Sequence, residues 1–242
     1  MAQPLARRIF LAMAGSVIAA PRLSWGAVEM PTSLDHILLG CNDLEKGIAF
    51  VEEKIGVPAA FGGVHPGRGT RNALLSLGEK HYLEVIAPDP KQNSVQPFAA
   101  QMLATIKELS SPRLVGWAAH PGDLEAFAKK LRDAGVGTEG PWPGSRARPD
   151  GRVLQWKSLS LKDDRGGVLP FFIEWSADSV HPSVDAPSGC KIVHFEICGP
   201  DSGELTRLCK LLDLDVPVEQ SDKLQLRARI AGPSGKVMEV TS

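Results

Sequence analysis

The chain lacks an excess of charge of either sign. Its 242 residues carry 27 Lys and Arg against 28 Asp and Glu, a formal net charge of −1. Nucleic-acid binding leaves a clustered basic surface, so no nucleic-acid partner is expected. Cysteine is scarce: Cys41, Cys190, Cys198 and Cys209 match no CxxC zinc pattern. Long apolar runs are missing too. Residues 9–20 give about a dozen apolar or small residues, where a bilayer-spanning helix needs about 20. What remains is ordinary for a globular protein, with 43% hydrophobic and 23% charged residues. The length suits one larger domain or two compact modules.

Acid is absent before Glu29. Arg7-Arg8, the apolar run and the small residues Ser24 and Gly26 have the layout of a cleaved export leader spanning 1–26. Arg7-Arg8-Ile9-Phe10-Leu11 resembles the twin-arginine signature, although Ala6 and Ala12 replace its usual Ser/Thr and Lys. The competing reading is an uncleaved apolar anchor. Cleavage takes away three arginines and no acid, moving the charge from −1 to −4. An exported, periplasmic protein with no stable membrane span after cleavage is expected. Twin-arginine export carries folded chains, so a metal can be loaded first. An oxidising compartment permits a disulfide, but buried free thiols are the preferred reading of the four cysteines.

An apolar strand-like run leading to a short helix start occurs three times. Leu34–Gly40 precedes Asp43-Leu44-Glu45, Arg113–Ala119 precedes Asp123-Leu124-Glu125, and 191–197 precedes Gly203-Glu204-Leu205. The starts recur about every 80 residues, the span of a large repeat unit. Each opens a helix-period run: Leu44, Ile48, Val51, Ile55; then Leu124, Phe127, Ala128, Leu131; then Leu205, Leu208, Cys209, Leu212. Asp43 and Asp123 are placed as N-caps, and Gly56 and Gly135 as C-caps. Extended segments follow at 59–64, 70–77 and 81–87, at 137–142, 153–161 and 168–175, and at 216–220, 224–230 and 236–241. Gly62-Gly63, His65-Pro66-Gly67 and Ser234-Gly235 read as turns. The expected class is α+β, with repeated βαβββ modules forming curved mixed sheets around a cleft. The modules run 33–90, 113–178 and, smaller, 190–242. Residues 91–112 are a linker holding a helix around 97–109.

Several segments carry a family resemblance. They are Asp35-His36-Ile37, His65-Pro66-Gly67-Arg68-Gly69-Thr70-x-Asn72, Tyr82-Leu83-Glu84-Val85-Ile86-Ala87, Ser145-Arg146-x-Arg148-Pro149-Asp150-Gly151, Phe171-Phe172-Ile173-Glu174-Trp175 and His181-Pro182. With them the mature chain resembles the glyoxalase-like domain family of the vicinal-oxygen-chelate superfamily. That superfamily spans lyases, isomerases, dioxygenases and metal-free drug-binding proteins, so the resemblance implies a fold and not one activity. It implies a metal site drawing a His from a first strand and a Glu from a last strand of paired units. His36 and Glu84 hold those places in the first unit, and Glu174 lies on the last strand of the second. Val115-Gly116-Trp117 stands where a second His or Glu is expected. Three ligands, His36, Glu84 and Glu174, suffice with water for one divalent ion, Zn, Fe, Mn or Ni. His194 and Glu239 repeat the pair in the third unit, without a partner unit. Position 71, often His in the family, is Arg71.

Each residue also has its own physical argument. Glu84 between Leu83 and Val85 is expensive to bury unpaired. Alternation puts it on one face with Tyr82 and Ile86, where it can meet His36; alone, His36 would read as a core histidine. Glu174 is a candidate general base, and His65 a catalytic residue in a loop over the cleft. Arg68 and Asn72 are donors for an anionic or carbonyl substrate, and Arg148, beside Arg146, is a carboxylate binder. Trp156 and Phe171 are candidates for an apolar substrate wall, with core packing the alternative. The expected function is a metal-assisted lyase, isomerase or dioxygenase reaction on a small molecule. The alternative is a metal-free protein that binds a drug or aromatic compound. Paired units suit a monomer, and the superfamily's dimers make a homodimer equally compatible.

Overall fold

The computed structural model describes residues 30–242; the expected export leader lies outside them. Strand β1 (Leu34–Gly40) leads into helix α1 (Leu44–Ile55). The Asp43 carboxylate accepts from the Lys46 amide at the start of that helix, and Gly56 ends it with φ 81°. A residue without Cβ takes that left-handed conformation at no steric penalty. β2 (Ala60–His65), β3 (Thr70–Ser76) and β4 (Tyr82–Pro88) complete the first unit. A short 3₁₀ turn (Pro97–Ala99) and α2 (Ala100–Lys107) occupy the linker. The second unit is β5 (Arg113–Ala119), α3 (Leu124–Asp133), β6 (Thr138–Ala147), β7 (Val153–Leu161) and β8 (Phe171–Trp175). After the turn α4 (Pro182–Asp185) come β9 (Lys191–Gly199), α5 (Ser202–Leu211), β10 (Val218–Gln220), β11 (Gln225–Ala231) and β12 (Val237–Thr241).

The first two units share one eight-stranded sheet, ordered β2-β3-β4-β1-β5-β8-β7-β6. Within each unit the first strand runs parallel to the last, and β1 and β5 meet antiparallel at the centre. The sheet curls into a half-barrel until its edges approach, where the Arg146 guanidinium of β6 donates to the Gly62 carbonyl of β2. Two glycines permit this approach. A Cβ at Gly62 would stand 2.6 Å from Asn72 Oδ1, and one at Gly63 (φ 142°) 2.6 Å from the Ala147 carbonyl oxygen. The Gly62-Gly63 pair, expected as a turn, therefore lies inside β2, at a shift of register between Phe61 and Gly63.

Alternation along the strands separates the two faces. Ile37, Leu39, Leu83, Val85, Trp117 and Phe172 pack with α1, α3 and the third unit into one core. Trp117 meets Phe195 of β9 edge-on at 5.1 Å. The concave face carries His36 and Glu84. Its end at Leu38, Ile86 and Val115 is covered by Ile106 of α2 and by Leu109.

The third unit keeps the order strand, helix, three strands but pairs them differently. Its separate sheet runs β10-β9-β11-β12, with the first strand inside rather than beside the last. It backs the convex side and lends no strand to the half-barrel. Asp215 ties it to the beginning of the described chain, accepting from the amides and hydroxyls of Thr32 and Ser33 at 2.5–3.1 Å. All four cysteines are buried and unpaired. Among the described residues no helix is long and apolar enough to cross a membrane.

Candidate active site

The concave face gathers two histidines around one carboxylate. His36, the third residue of β1, points its Nε2 at Glu84 Oε2, 3.4 Å away on the adjacent parallel strand β4. Its Nδ1 lies 2.6 Å from Asp35 Oδ1. His65, the last residue of β2, places Nε2 3.5 Å from Glu84 Oε1. Asn72 of β3 sits between them, its amide nitrogen 2.7 Å from Glu84 Oε1 and 3.2 Å from His65 Nε2. His65 Nδ1 lies 2.9 Å from Thr70 Oγ1. His36, Glu84, His65, Asn72 and Asp35 are each less than a tenth exposed.

This packing sets opposite protonation states. Burial alone would depress the His36 pKa, but its bonds to Asp35 and Glu84 outweigh burial and raise it to about 9. Burial dominates at His65 and lowers it to about 4. Glu84, which burial would push up, is held near 2 by the His36 bond, the charges of both imidazoles and the Asn72 amide. Burial opposes ionisation of Asp35 too, yet its bonds to His181 and His36 hold it well below the usual carboxylate range. At neutral pH His36 is a cation between two carboxylates, and His65 is neutral. The network assigns the His65 proton to Nδ1, leaving Nε2 to accept from Asn72.

Aromatic rings enclose His36. Tyr82 stacks on it at 4.3 Å, and Phe171 meets it edge-on at 5.6 Å. Asp35 is held from its other side by Trp175 Nε1 at 3.1 Å and His181 Nε2 at 3.3 Å. The segment around α4 seals this corner, with Ser76 Oγ donating to the Ser183 carbonyl at 2.8 Å. Asn72 Oδ1 is buried with no partner. A small cleft reaches the surface between Phe61, Gly62, Leu74, Arg146, Arg148, Pro149 and Asp185.

Most of the expected residues converge, and Glu174 does not. Phe172 of β8 packs on Phe127 of α3, so Glu174, two residues on, shares that convex face. Its Oε2 accepts from the Leu124 amide at 2.8 Å, satisfying one of the free N–H groups at the start of α3. By register, Gly116 pairs Leu38 as His36 pairs Ala118, and Phe171 pairs Ala118 as Glu84 pairs Leu38, so Gly116 and Phe171 stand in the second unit where His36 and Glu84 stand in the first. Neither carries a side-chain donor. The expected ligand set of His36, Glu84 and Glu174 therefore does not form, and Glu174 is not placed as a base. Two of the three expected donors remain, and the Asn72 amide nitrogen, which is no metal ligand, stands between Glu84 and His65. Among the described residues, no three His, Cys, Asp or Glu are arranged to share a metal ion. The donor set does not fit a divalent cation, and no chemical step is assigned to one.

The remaining expectations divide. Asn72 and Phe171 line the site directly. Arg68 lies against the Phe98 ring at 5.1 Å, close enough to Glu84 to feel its charge. Arg148 lines the cleft, bonded to Asp185 at 2.8 Å. Trp156 lies one ring further out, 5.6 Å from Trp175. Arg71 points away and forms a two-pronged pair with Glu45 of α1 at 2.9 and 3.0 Å, so its departure from the family does not touch the site. His194 and Glu239 do not pair: His194 bonds Glu196 at 2.9 Å and Glu239 bonds Arg229 at 2.9 Å. Sequence reasoning gave no role to Asp35, Trp175, His181 or Asp185. The Asp35-His36 and His181-Pro182 motifs were legible, but nothing local shows that they meet across about 140 residues of chain.

A curled sheet of two βαβββ units around an inward His–Glu pair defines the vicinal-oxygen-chelate class. The chain belongs to the glyoxalase-like domain family, whose model matches residues 34–212, up to the end of α5. Among solved structures it is similar to a hypothetical protein from Staphylococcus aureus, at 19% identity over 86% of this chain and 84% of that one, with a TM-score of 0.60. Methylmalonyl-CoA epimerase from Mycobacterium tuberculosis aligns at 23% identity over 63% of this chain and 94% of its own, with a TM-score of 0.44. Likeness at these identities is likeness of fold. No curated protein matches the sequence.

Proposed function

We propose that the half-barrel binds a small molecule bearing a carbonyl or hydroxyl group and moves a proton on it, as an isomerase or lyase. One observation carries this reading: two buried imidazoles flank one carboxylate and are held in opposite protonation states. Groups whose environments push their pKa values apart are the natural acid and base of a site. His36 Nε2–H turns from Glu84 to donate to the substrate oxygen, while His65 Nε2, released by the Asn72 amide, takes a proton from the neighbouring carbon. Glu84 then faces one imidazolium before the step and one after it, so the buried charge balance is preserved. Asn72 Oδ1 is free to accept from a substrate hydroxyl.

The test is proton exchange. A panel of 2-oxo and 2-hydroxy acids is incubated with the protein in D₂O and followed by NMR. Deuterium is expected at the carbon beside the carbonyl or hydroxyl of one of them. His36→Ala and His65→Ala are expected to slow exchange by about 10²–10⁴-fold, the usual contribution of a positioned acid or base. Added Zn, Mn or Ni, or a chelator, is expected to leave the rate unchanged. Binding without exchange would instead favour a metal-free binding protein, a reading supported by Gly116 and Phe171 at the second-unit counterparts of the His–Glu pair. The layout of residues 1–26 supports periplasmic export; an N-terminus at Ala27 on the exported protein tests it.

A further inference from the structure

The cleft beside the histidines is guarded by charges that the proton transfer does not use. Arg148 Nη1 bonds Asp185 Oδ1 at 2.8 Å, and Arg152 Nη2 bonds Asp185 Oδ2 at 3.0 Å. Each oxygen of one carboxylate is thus held by a separate guanidinium. Arg148 and Arg152 flank a tight turn between β6 and β7, closed by the Arg148 amide on the Arg152 carbonyl and the Gly151 amide on the Arg148 carbonyl. Asp185 belongs to α4, which is fastened to β3 on both sides of it. Ser76 Oγ bonds the Ser183 carbonyl, and the Ser76 amide bonds the Pro187 carbonyl. Asp185 is therefore a fixed post, and the β6–β7 turn is latched to it.

Arg146, Arg148 and Asp185 line the same cleft, together with Phe61 and Leu74. Arg146 is buried, and it senses the charge of Glu84. Counted inward from the mouth, the cations are Arg152, Arg148, Arg146, Arg68 and His36, and the anions are Asp150, Asp185, Glu84 and Asp35. One positive charge is left over. Arg–carboxylate pairing is directional, and one carboxylate readily exchanges for another on the same fork.

We infer that this cleft is a carboxylate subsite, that Asp185 occupies Arg148 in place of the ligand's carboxylate, and that the β6–β7 turn swings clear when the two exchange. The inference rests on the small-molecule reading above and narrows it to carboxylates. The ligand's carboxylate binds Arg148 with Arg146 behind it, Phe61 and Leu74 line its apolar part, and its far end reaches Asn72 and the two histidines. Neutral analogues lack the charge that displaces Asp185.

Binding is measured by titrating the full chain with lactate and mandelate, and with their amides, reading tryptophan fluorescence and calorimetry. Arg148→Gln is expected to weaken carboxylate binding at least tenfold, and Asp185→Asn to tighten it severalfold by freeing Arg148 Nη1, with Asp150 left on Nε at 3.5 Å. The amides are expected to bind no variant. Thermal unfolding of each variant confirms that it is folded. A second set in the His65→Ala background, where exchange is lost, keeps the two readings apart. Carboxylate binding that still responds to Arg148 and Asp185 there upholds the subsite whatever the chemistry. Equal binding of acids and amides, affinities unmoved by both substitutions, or no carboxylate binding to any variant would overturn it, even if proton exchange on neutral carbonyls were found.

Discussion

At the scale of single residues, His36 is the keystone of the buried charges. It is the shared partner of Asp35 and Glu84, two carboxylates that burial would otherwise penalise. His36→Ala takes the imidazolium from between them, leaving Asp35 to Trp175 and His181 and Glu84 to Asn72 and His65. Removing one partner of a buried ion pair costs about 3–5 kcal/mol, and chemical denaturation is expected to read a loss of that size. The pH dependence follows from the same groups. The His36 pKa is raised, so its contribution to stability is complete below its unfolded value of 6.5 and fades as pH climbs through about 9. Glu84 and His65 are depressed. Their contributions are present above their unfolded values of 4.5 and 6.5, and fade as pH falls toward about 2 and about 4. The melting temperature is expected to peak near neutrality and decline on both sides. Its alkaline decline between pH 7 and 10 should flatten in His36→Ala; an unchanged alkaline limb would place the titration elsewhere.

At the scale of elements, the two glycines of β2 and the carboxylate on β8 show how local chemistry serves the curl. Gly63 has φ 142°, and a Cβ there would meet the Ala147 carbonyl oxygen of the opposite edge. Gly63→Ala is expected to cost about 1–3 kcal/mol through backbone strain and to part the edges, which a lower unfolding midpoint and faster amide exchange in β2 and β6 would report. Glu174 acts on α3. Loss of a side-chain cap costs about 0.5–2 kcal/mol, so Glu174→Ala should lower stability by that amount while proton exchange continues. A collapse of exchange in a folded Glu174→Ala protein would return Glu174 to the chemistry. The alternation of β8 was readable, but which of its faces turned inward was not. That choice depends on α3 packing against Phe172 and on the bulk of Phe171 and Trp175 beside His36 and Asp35.

At the scale of the whole molecule, the third unit is part of the core rather than an appendage. Phe195, Ile197, Leu226 and Ile230 pack in one cluster with α1, α3 and the central strands of the half-barrel. Fully burying each such side chain is worth about 1.5–3 kcal/mol, so a chain ending at residue 189 exposes more apolar surface than its marginal stability tolerates. That truncation is expected to be insoluble or to bind hydrophobic dyes, and a soluble, cooperatively unfolding fragment would contradict this role. The unit also fixes the chain's entry into β1, through Asp215 on Thr32 and Ser33.

The sequence by itself determined the elements. Apolar period, capping aspartates and glycine helix ends are local signals, and they placed the three strand–helix–strands units within a few residues. It also marked His36, Glu84, His65 and Asn72, because polar residues inside apolar strands or dense glycine turns stand out against their neighbours. Only the tertiary structure decided which of these meet. The curl brought β2 to β6, the register of β1 on β4 set His36 against Glu84, and the returning α4 segment delivered His181 and Asp185. It also turned Glu174 outward and paired the third unit's strands in a different order. Such contacts span tens to more than a hundred residues. They are chosen by how whole faces pack, a property of the assembled sheet that no local stretch of chain encodes.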